Sequence, residues 1–271
     1  MSDLERIKQI KKSVLMTAFH AKVGHIPSSF SCLEILYVLY NKIAHIRKDN
    51  AADLDRDRVV ISKEHARLGQ VCVLADAGLL DKKLLEHFMA NEDAALGHDL
   101  YNVVRAENKD LAAVDVASGA LGHGLSVGVG LAWDNPHHVF VVVGDAELQE
   151  GTNWEAIMFA GFHQMKNLTI IVDENSQQID EYTPHILDIS SNLKKKFEVF
   201  GFEVLECDGH DVQALEKCLK VQTDKPKALI AKTIKGKECL FWREEVGFGY
   251  FHAGPMNEDQ LRKTMEKIEK C

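Results

Sequence analysis

The sequence predicts an α/β fold, a parallel sheet with helices on both faces. Residues 139–143 and 168–172 are short, unbroken apolar runs rich in β-branched residues, the composition of parallel strands buried on both sides. Between them Trp154, Ile157, Met158, Gly161, Phe162 and Met165 recur at helical spacing. The alternation then continues with a helix near 191–200, a strand at 202–206, a helix at 211–221 and a strand at 228–233. Four strands joined by three helices imply parallel pairing through right-handed crossovers.

The first half reads as helices. Leu4, Ile7, Ile10 and Val14 fall on one face of an opening helix. Ser31-Cys32-Leu33-Glu34 has capping-box form and opens a second helix whose apolar side is Leu33, Leu36, Tyr40 and Ile43. Residues 236–256 read as a long glycine-bearing loop, and a last helix begins near Asn257, capped with Gln260. No repeat, low-complexity tract or linker interrupts the chain. Residues 1–271 are therefore expected to form a single domain with the N-terminal helices packed on the sheet.

The 271 residues suffice to bury a sizeable core. Lys and Arg number 32 against 41 Asp and Glu, a formal charge of −9, and the longest basic run is Lys194-Lys195-Lys196. Such a chain lacks the positive footprint that nucleic-acid backbones require, so no nucleic-acid partner is expected. No apolar run approaches the roughly 20 residues that span a bilayer, and the N-terminus has no signal-peptide core. The six cysteines form no C-x-x-C pair. A reducing cytoplasm and no membrane association are the expectation.

Chemistry concentrates after the strands. Gly144-Asp145-Ala146-Glu147 follows the run 139–143, where doubly wound sheets bind ligands outside the carboxyl ends of their strands. The next strand ends in Asp173-Glu174-Asn175, which puts Asn175 thirty residues after Asp145. Each residue alone is commonly a turn or cap residue. As a pair on neighbouring strand ends they offer the hard oxygen ligands that Mg²⁺ takes together with phosphate oxygens.

This pairing resembles the thiamine diphosphate signature, Gly-Asp-Gly followed about thirty residues on by Asn. The longer string Gly-Asp-Ala-Glu-Leu-Gln-Glu-Gly-Thr-Asn-Trp-Glu-Ala is similar, almost residue for residue, to that of transketolases. Gly24-His25-Ile26-Pro27, the segment 56–66 with His65, Gly97-His98 and the glycine-rich segment 118–126 resemble further motifs of that family. What is matched is the family's N-terminal, diphosphate-binding half.

The resemblance implies roles. Asp145 and Asn175 would ligate the metal by side chain and Gln177 by its backbone carbonyl, with Mg²⁺ the expected ion and Ca²⁺ or Mn²⁺ as substitutes. His65 would lie beside the diphosphate and thiazolium, Gly119, Ala120 and Leu121 would meet the aminopyrimidine, and Gly144, Asp145 and Ala146 would offer amides to the phosphates. Lys235 matches a position near the cofactor, and Glu150 a glutamate at the family's subunit interface. His25, His65, His98 and His252 would converge as catalytic imidazoles, a residue type suited to proton transfer near neutrality. The other histidines are read as surface or core residues.

The family's aminopyrimidine-activating glutamate belongs to a second, pyrimidine-binding domain, and this sequence stops at Cys271. The expectation is the N-terminal subunit of a split transketolase, moving a two-carbon ketol unit from a ketose, expected to be phosphorylated, to an aldose. Its partner would be a separate C-terminal subunit, in an α2β2 heterotetramer. Two other readings stay open: an α-type subunit of another thiamine diphosphate enzyme, and a cofactor-binding assembly subunit without catalysis. A nicotinamide site at Gly122-His123-Gly124 is discounted, since a third glycine and a preceding strand are missing. Three departures from the family pattern stand out: Ala146 in place of Gly, His123 in place of a glutamine common in the family, and Phe251-His252-Ala253 in place of Trp-His-Gly.

Overall fold

The computed structural model describes residues 1–88, 113–116 and 119–270. Its sheet has five parallel strands, β1 Arg58–Ile61, β2 Val139–Gly144, β3 Leu168–Glu174, β4 Glu203–Asp208 and β5 Lys227–Lys232, in the order β1-β2-β3-β5-β4. Four match the strands read from sequence. The fifth, β1, lacks a clear sequence signal, because only Val59, Val60 and Ile61 are apolar between charged flanks; all three are fully buried.

Alternation along each strand builds two cores. Val59, Ile61, Phe140, Val142, Ile171, Leu229 and Ala231 face one side, while Val60, Val141, Val143, Ile170, Val172, Ala228 and Ile230 face the other. On the first side lie the helices Asp3–Ala21, Ile26–Ser31, Leu33–Val38, Arg67–Asp76 and Val212–Leu219. On the second lie His123–Ala132, Gly151–Phe162 and Leu193–Val199. Gly128 lets the helix His123–Ala132 lie close on β2, since a Cβ there would stand 2.3 Å from Val141.

Several local expectations need correction. The opening helix does bury Ile7, Ile10 and Val14 but leaves Leu4 54% exposed, and its capping box is Ser2 with Glu5. Ser31 caps nothing: it is the last residue of the helix Ile26–Ser31, and its hydroxyl donates to Asp173 Oδ1 at 2.9 Å. The helix Leu33–Val38 is buried on every side, so it has no amphipathic stripe. In Gly151–Phe162 the inward residues are Asn153, Ala156, Ile157, Ala160 and Gly161, whereas Met158 and Phe162 face solvent. The apolar spacing there belongs partly to an outward face.

Residues 236–256 are not a loop. A short 3-10 turn at Lys237–Cys239 leads into the helix Phe241–Ala253, anchored by buried Trp242 and Phe251 and kinked at Gly247, whose φ of 76° disrupts the helical periodicity. The last helix, Glu258–Lys270, is capped as expected, with Asn257 Oδ1 accepting from Gln260 N at 2.9 Å and Gln260 Oε1 accepting from Asn257 N at 3.0 Å. Among the described residues no helix is long and apolar enough to cross a membrane.

Candidate functional site

A cavity of about 230 Å³ opens at the carboxyl ends of β1, β2 and β3. Strand register explains the meeting. Gly144 on β2 pairs with Asp173 on β3, and the Asp145 amide donates to the Asp173 carbonyl at 3.2 Å, so residues 145 and 175 leave adjacent strand ends together. Of the residues singled out from sequence, His25, His65, Gly119, Leu121, Gly144, Asp145, Ala146, Asn175, Gln177, Lys235 and His252 all line this cavity. Ala120 is exposed beside it, and Glu150 lies outside, exposed at the start of the helix Gly151–Phe162 with its Cβ against Gly122. His98 lies outside the described residues.

Three imidazoles converge from three separate segments. Ring centroids are 6.1 Å apart for His25 and His65, 5.1 Å for His25 and His252, and 5.5 Å for His65 and His252. His25 takes a left-handed conformation (φ 63°) at the N-cap of the helix Ile26–Ser31, with Pro27 in its first turn. Burial, with the Lys63 charge second, holds His65 well below the ordinary histidine range. Burial, with Lys235 and His25 next, lowers His252 to about 3. The rings of His65 and His252 are therefore neutral at physiological pH, and can pass a proton without first losing one.

Lys235 Nζ stands 2.8 Å from His252 Nδ1 and 3.4 Å from the Gln178 carbonyl. Burial, reinforced by the Lys63 charge, lowers its ammonium to about 7. Asp145 moves the opposite way. It is 1% exposed, and burial together with the neighbouring Asp173 charge raises it to about 7, although Oδ2 accepts from the Ser176 amide at 2.9 Å. A buried carboxylate of this kind stays ionised when a cation is beside it.

Sequence reasoning assigned no role to the scaffold behind these groups. Lys63, just past the end of β1, pairs with the fully buried Asp173 near the end of β3. Burial alone would raise Asp173, but Lys63 and the hydroxyls of Thr233 and Ser31 hold it below the usual carboxylate range. Asn175 is fixed from the same point, its amide donating to Ser31 Oγ at 3.0 Å and Asp173 Oδ2 at 3.3 Å. Glu147 accepts from the Ser62 hydroxyl, the Gly122 amide at 2.9 Å and the Gly144 amide at 3.1 Å, tying three loops to one carboxylate that burial pushes up. Lys63 and Glu147 stand inside the motifs quoted above, but spacing along the chain does not reveal pairings across the sheet.

Ala146 carries no strain. It opens a 3-10 turn, Ala146–Gln149, and its φ is not positive, so a methyl is compatible with the backbone. The cavity also holds polar atoms in need of a ligand. Ser28 Oγ, Gln177 Oε1 and Gln178 Nε2 are buried on its wall with no hydrogen-bond partner among the described residues. The helix His123–Ala132 begins directly after Gly122, and the described residues 113–116 form no strand, which speaks against the dinucleotide reading.

Comparison with known proteins bears on this geometry. Residues 3–269 match the family described as transketolase, thiamine diphosphate binding domain. The chain is 35% identical over 266 residues to one of the subunits of an apulose-4-phosphate transketolase of Actinobacillus succinogenes, covering 96% of this chain and 92% of that protein. It is 31% identical over 270 residues to the 6-deoxy-6-sulfo-D-fructose transketolase subunit SqwG of a Clostridium species, covering 96% and 94%. A crystal structure of transketolase from Campylobacter jejuni superposes with a TM-score of 0.82 at 28% identity, covering 99% of this chain and 43% of that one. The chain thus spans less than half of the solved transketolase it overlays.

Proposed function

The chain belongs to the transketolase family and spans its thiamine diphosphate-binding domain, and from that premise we propose that it works as the N-terminal subunit of a two-subunit transketolase. The relatives named as single transketolase subunits are of nearly its own length, which supports a separate chain carrying the pyrimidine-binding domain. An α2β2 heterotetramer in the cytoplasm, acting on small sugars or sugar phosphates, fits this reading. One domain over residues 1–271 fits it too.

The observation that carries the proposal is the convergence of three imidazoles, a raised Asp145 carboxylate and three unpartnered buried polar atoms on one cavity at the strand ends. At about 230 Å³ it is smaller than the roughly 300–1,000 Å³ of a complete small-molecule site, as suits a pocket that a second chain finishes.

The residues present suit thiamine diphosphate and a hard divalent cation. Among the described residues no three His, Cys, Asp or Glu side chains are grouped for a metal, so the donors here are mainly amide and carbonyl oxygens. Asp145, Asn175 and the Gln177 carbonyl form an oxygen set that suits Mg²⁺ completed by phosphate oxygens. Gly144 and Ala146 would hold the diphosphate end, where the turn after β2 presents amides. Gly119 and Leu121 would meet the ring system; a Cβ on Gly119 would stand 2.9 Å from Glu64 Oε2. Held there by these residues, the cofactor would supply the carbanion chemistry needed for cleavage and transfer of a two-carbon unit.

The chain's own residues handle orientation and protons. His25 and the neutral His65 and His252 would donate to hydroxyl or carbonyl oxygens of the sugar and shuttle protons. In its charged form Lys235 would donate to Nδ1, which would leave the His252 proton on Nε2 and offer positive charge to a phosphate. Glu150, outside the cavity and exposed, fits an interface position. Calorimetric titration of the chain mixed with its partner tests the assignment: thiamine diphosphate should bind with Mg²⁺ and much more weakly with EDTA, and metal-independent binding would refute the proposed ligand set.

A further inference from the structure

At the opposite end of the sheet, where β2, β3 and β5 begin, a second cavity of about 240 Å³ is walled by Lys42, Lys166, Lys220, Lys227 and His138 with no aspartate or glutamate. It adjoins another of about 420 Å³ that shares His138, Lys166, Gln222 and Thr223 and whose wall also carries Asp224. Lys42 and Lys220 share the Glu216 carboxylate behind the wall, and Lys42 also pairs with Asp3. Lys166 and Lys227 have no carboxylate partner among the described residues.

Lys227 is the unusual member. As the first residue of β5 it is only 4% exposed, and burial lowers its ammonium. It donates to the Leu219 carbonyl at 2.8 Å and the Val221 carbonyl at 2.9 Å, closing the end of the helix Val212–Leu219. Two acceptors serve two of its three hydrogens. Carbonyls alone would be satisfied by a neutral donor, whereas a buried cation without a counter-charge is costly. His138 is held neutral by burial, with Nε2 2.7 Å from Thr169 Oγ1, and adds no negative charge.

We propose that this cavity binds a phosphate-class dianion, seated against the buried Lys227 ammonium with Lys166 and Lys220 at its mouth. It is a separate site from the cofactor cavity, because the full lengths of β2 and β5 lie between them. Either free phosphate or the phosphate group of a small ester would meet the same ammonium groups.

The test is calorimetric titration of the full chain with inorganic phosphate, with chloride matched for ionic strength, thiamine diphosphate and Mg²⁺ saturating, and glycerol phosphate as a second arm. Phosphate should bind and raise the melting temperature, and Lys227→Gln should weaken it at least about tenfold, the loss of one charge-assisted bond. Lys166→Glu, on the exposed rim, should weaken binding similarly and keeps the test decisive if Lys227→Gln fails to fold. Tighter binding of glycerol phosphate identifies an ester as the occupant, and equal or weaker binding identifies the free anion. Phosphate binding undiminished in both variants, abolished by saturating thiamine diphosphate, or absent altogether would overturn the proposal.

Discussion

Lys235 Nζ and His252 Nδ1 lie 2.8 Å apart, a contact between a loop after β5 and a helix that sequence periodicity does not reveal. Burial is the main cause that lowers both groups, and the Lys235 charge adds to the lowering of His252. Lys235→Met should therefore raise the His252 pKa, read from its imidazole proton resonances against pH. In the reconstituted enzyme the same change should reduce kcat/KM at least about tenfold, since a positioned donor and a phosphate-facing charge are both lost. An unmoved His252 titration would break the link.

Asp145→Asn keeps the shape of the side chain and removes its charge. Affinity for thiamine diphosphate in the presence of Mg²⁺ should fall at least about tenfold, while affinity in EDTA should change little. Equal affinity in both conditions would take Asp145 out of the metal site.

Ala146→Gly restores the family's glycine at a position whose φ is already compatible with alanine. The variant should bind cofactor within about threefold of the parent and be destabilised by about 0.5–1 kcal/mol, the usual cost of glycine in helical backbone. Chemical denaturation and calorimetry measure the two effects.

Acid sensitivity follows from the buried histidines. His138 is held down to about 4 by burial, so between its ordinary value of 6.5 and about 4 the unfolded chain binds a proton that the native chain refuses. Stability from this group is present above pH 6.5 and is lost as pH falls. Asp145 and Glu147, pushed up by burial, act in the opposite sense, so the readout is a difference. On going from pH 7.5 to 5, His138→Gln should lose about 1–2 kcal/mol less than the parent, allowing for partial solvent screening. Parallel pH profiles would contradict this.

The sheet is legible in the sequence because β2, β3 and β5 are continuous apolar runs with little polar interruption, and β4 alternates. The short β1 is hidden between Arg58 and Ser62, and the helix Phe241–Ala253 is hidden by Gly247, which breaks its period. Most of the site is legible through motifs, since Asp145, Asn175, His25, His65 and Lys235 each sit in a recognisable string. Its scaffold is not. The pairing of Lys63 with Asp173 and the three-way grip of Glu147 depend on strand register, which brings together residues 110 and 25 positions apart. Lys227 is invisible for the same reason, as one lysine at a strand start whose burial only the fold reveals.

On the proposed reading this chain holds half of an active site, which ketol transfer measured with thiamine diphosphate and Mg²⁺ decides, for the purified chain alone and after mixing with a second chain carrying the pyrimidine-binding domain. Negligible transfer by the lone chain, restored on mixing, is the predicted result. Robust transfer by the chain alone would contradict it.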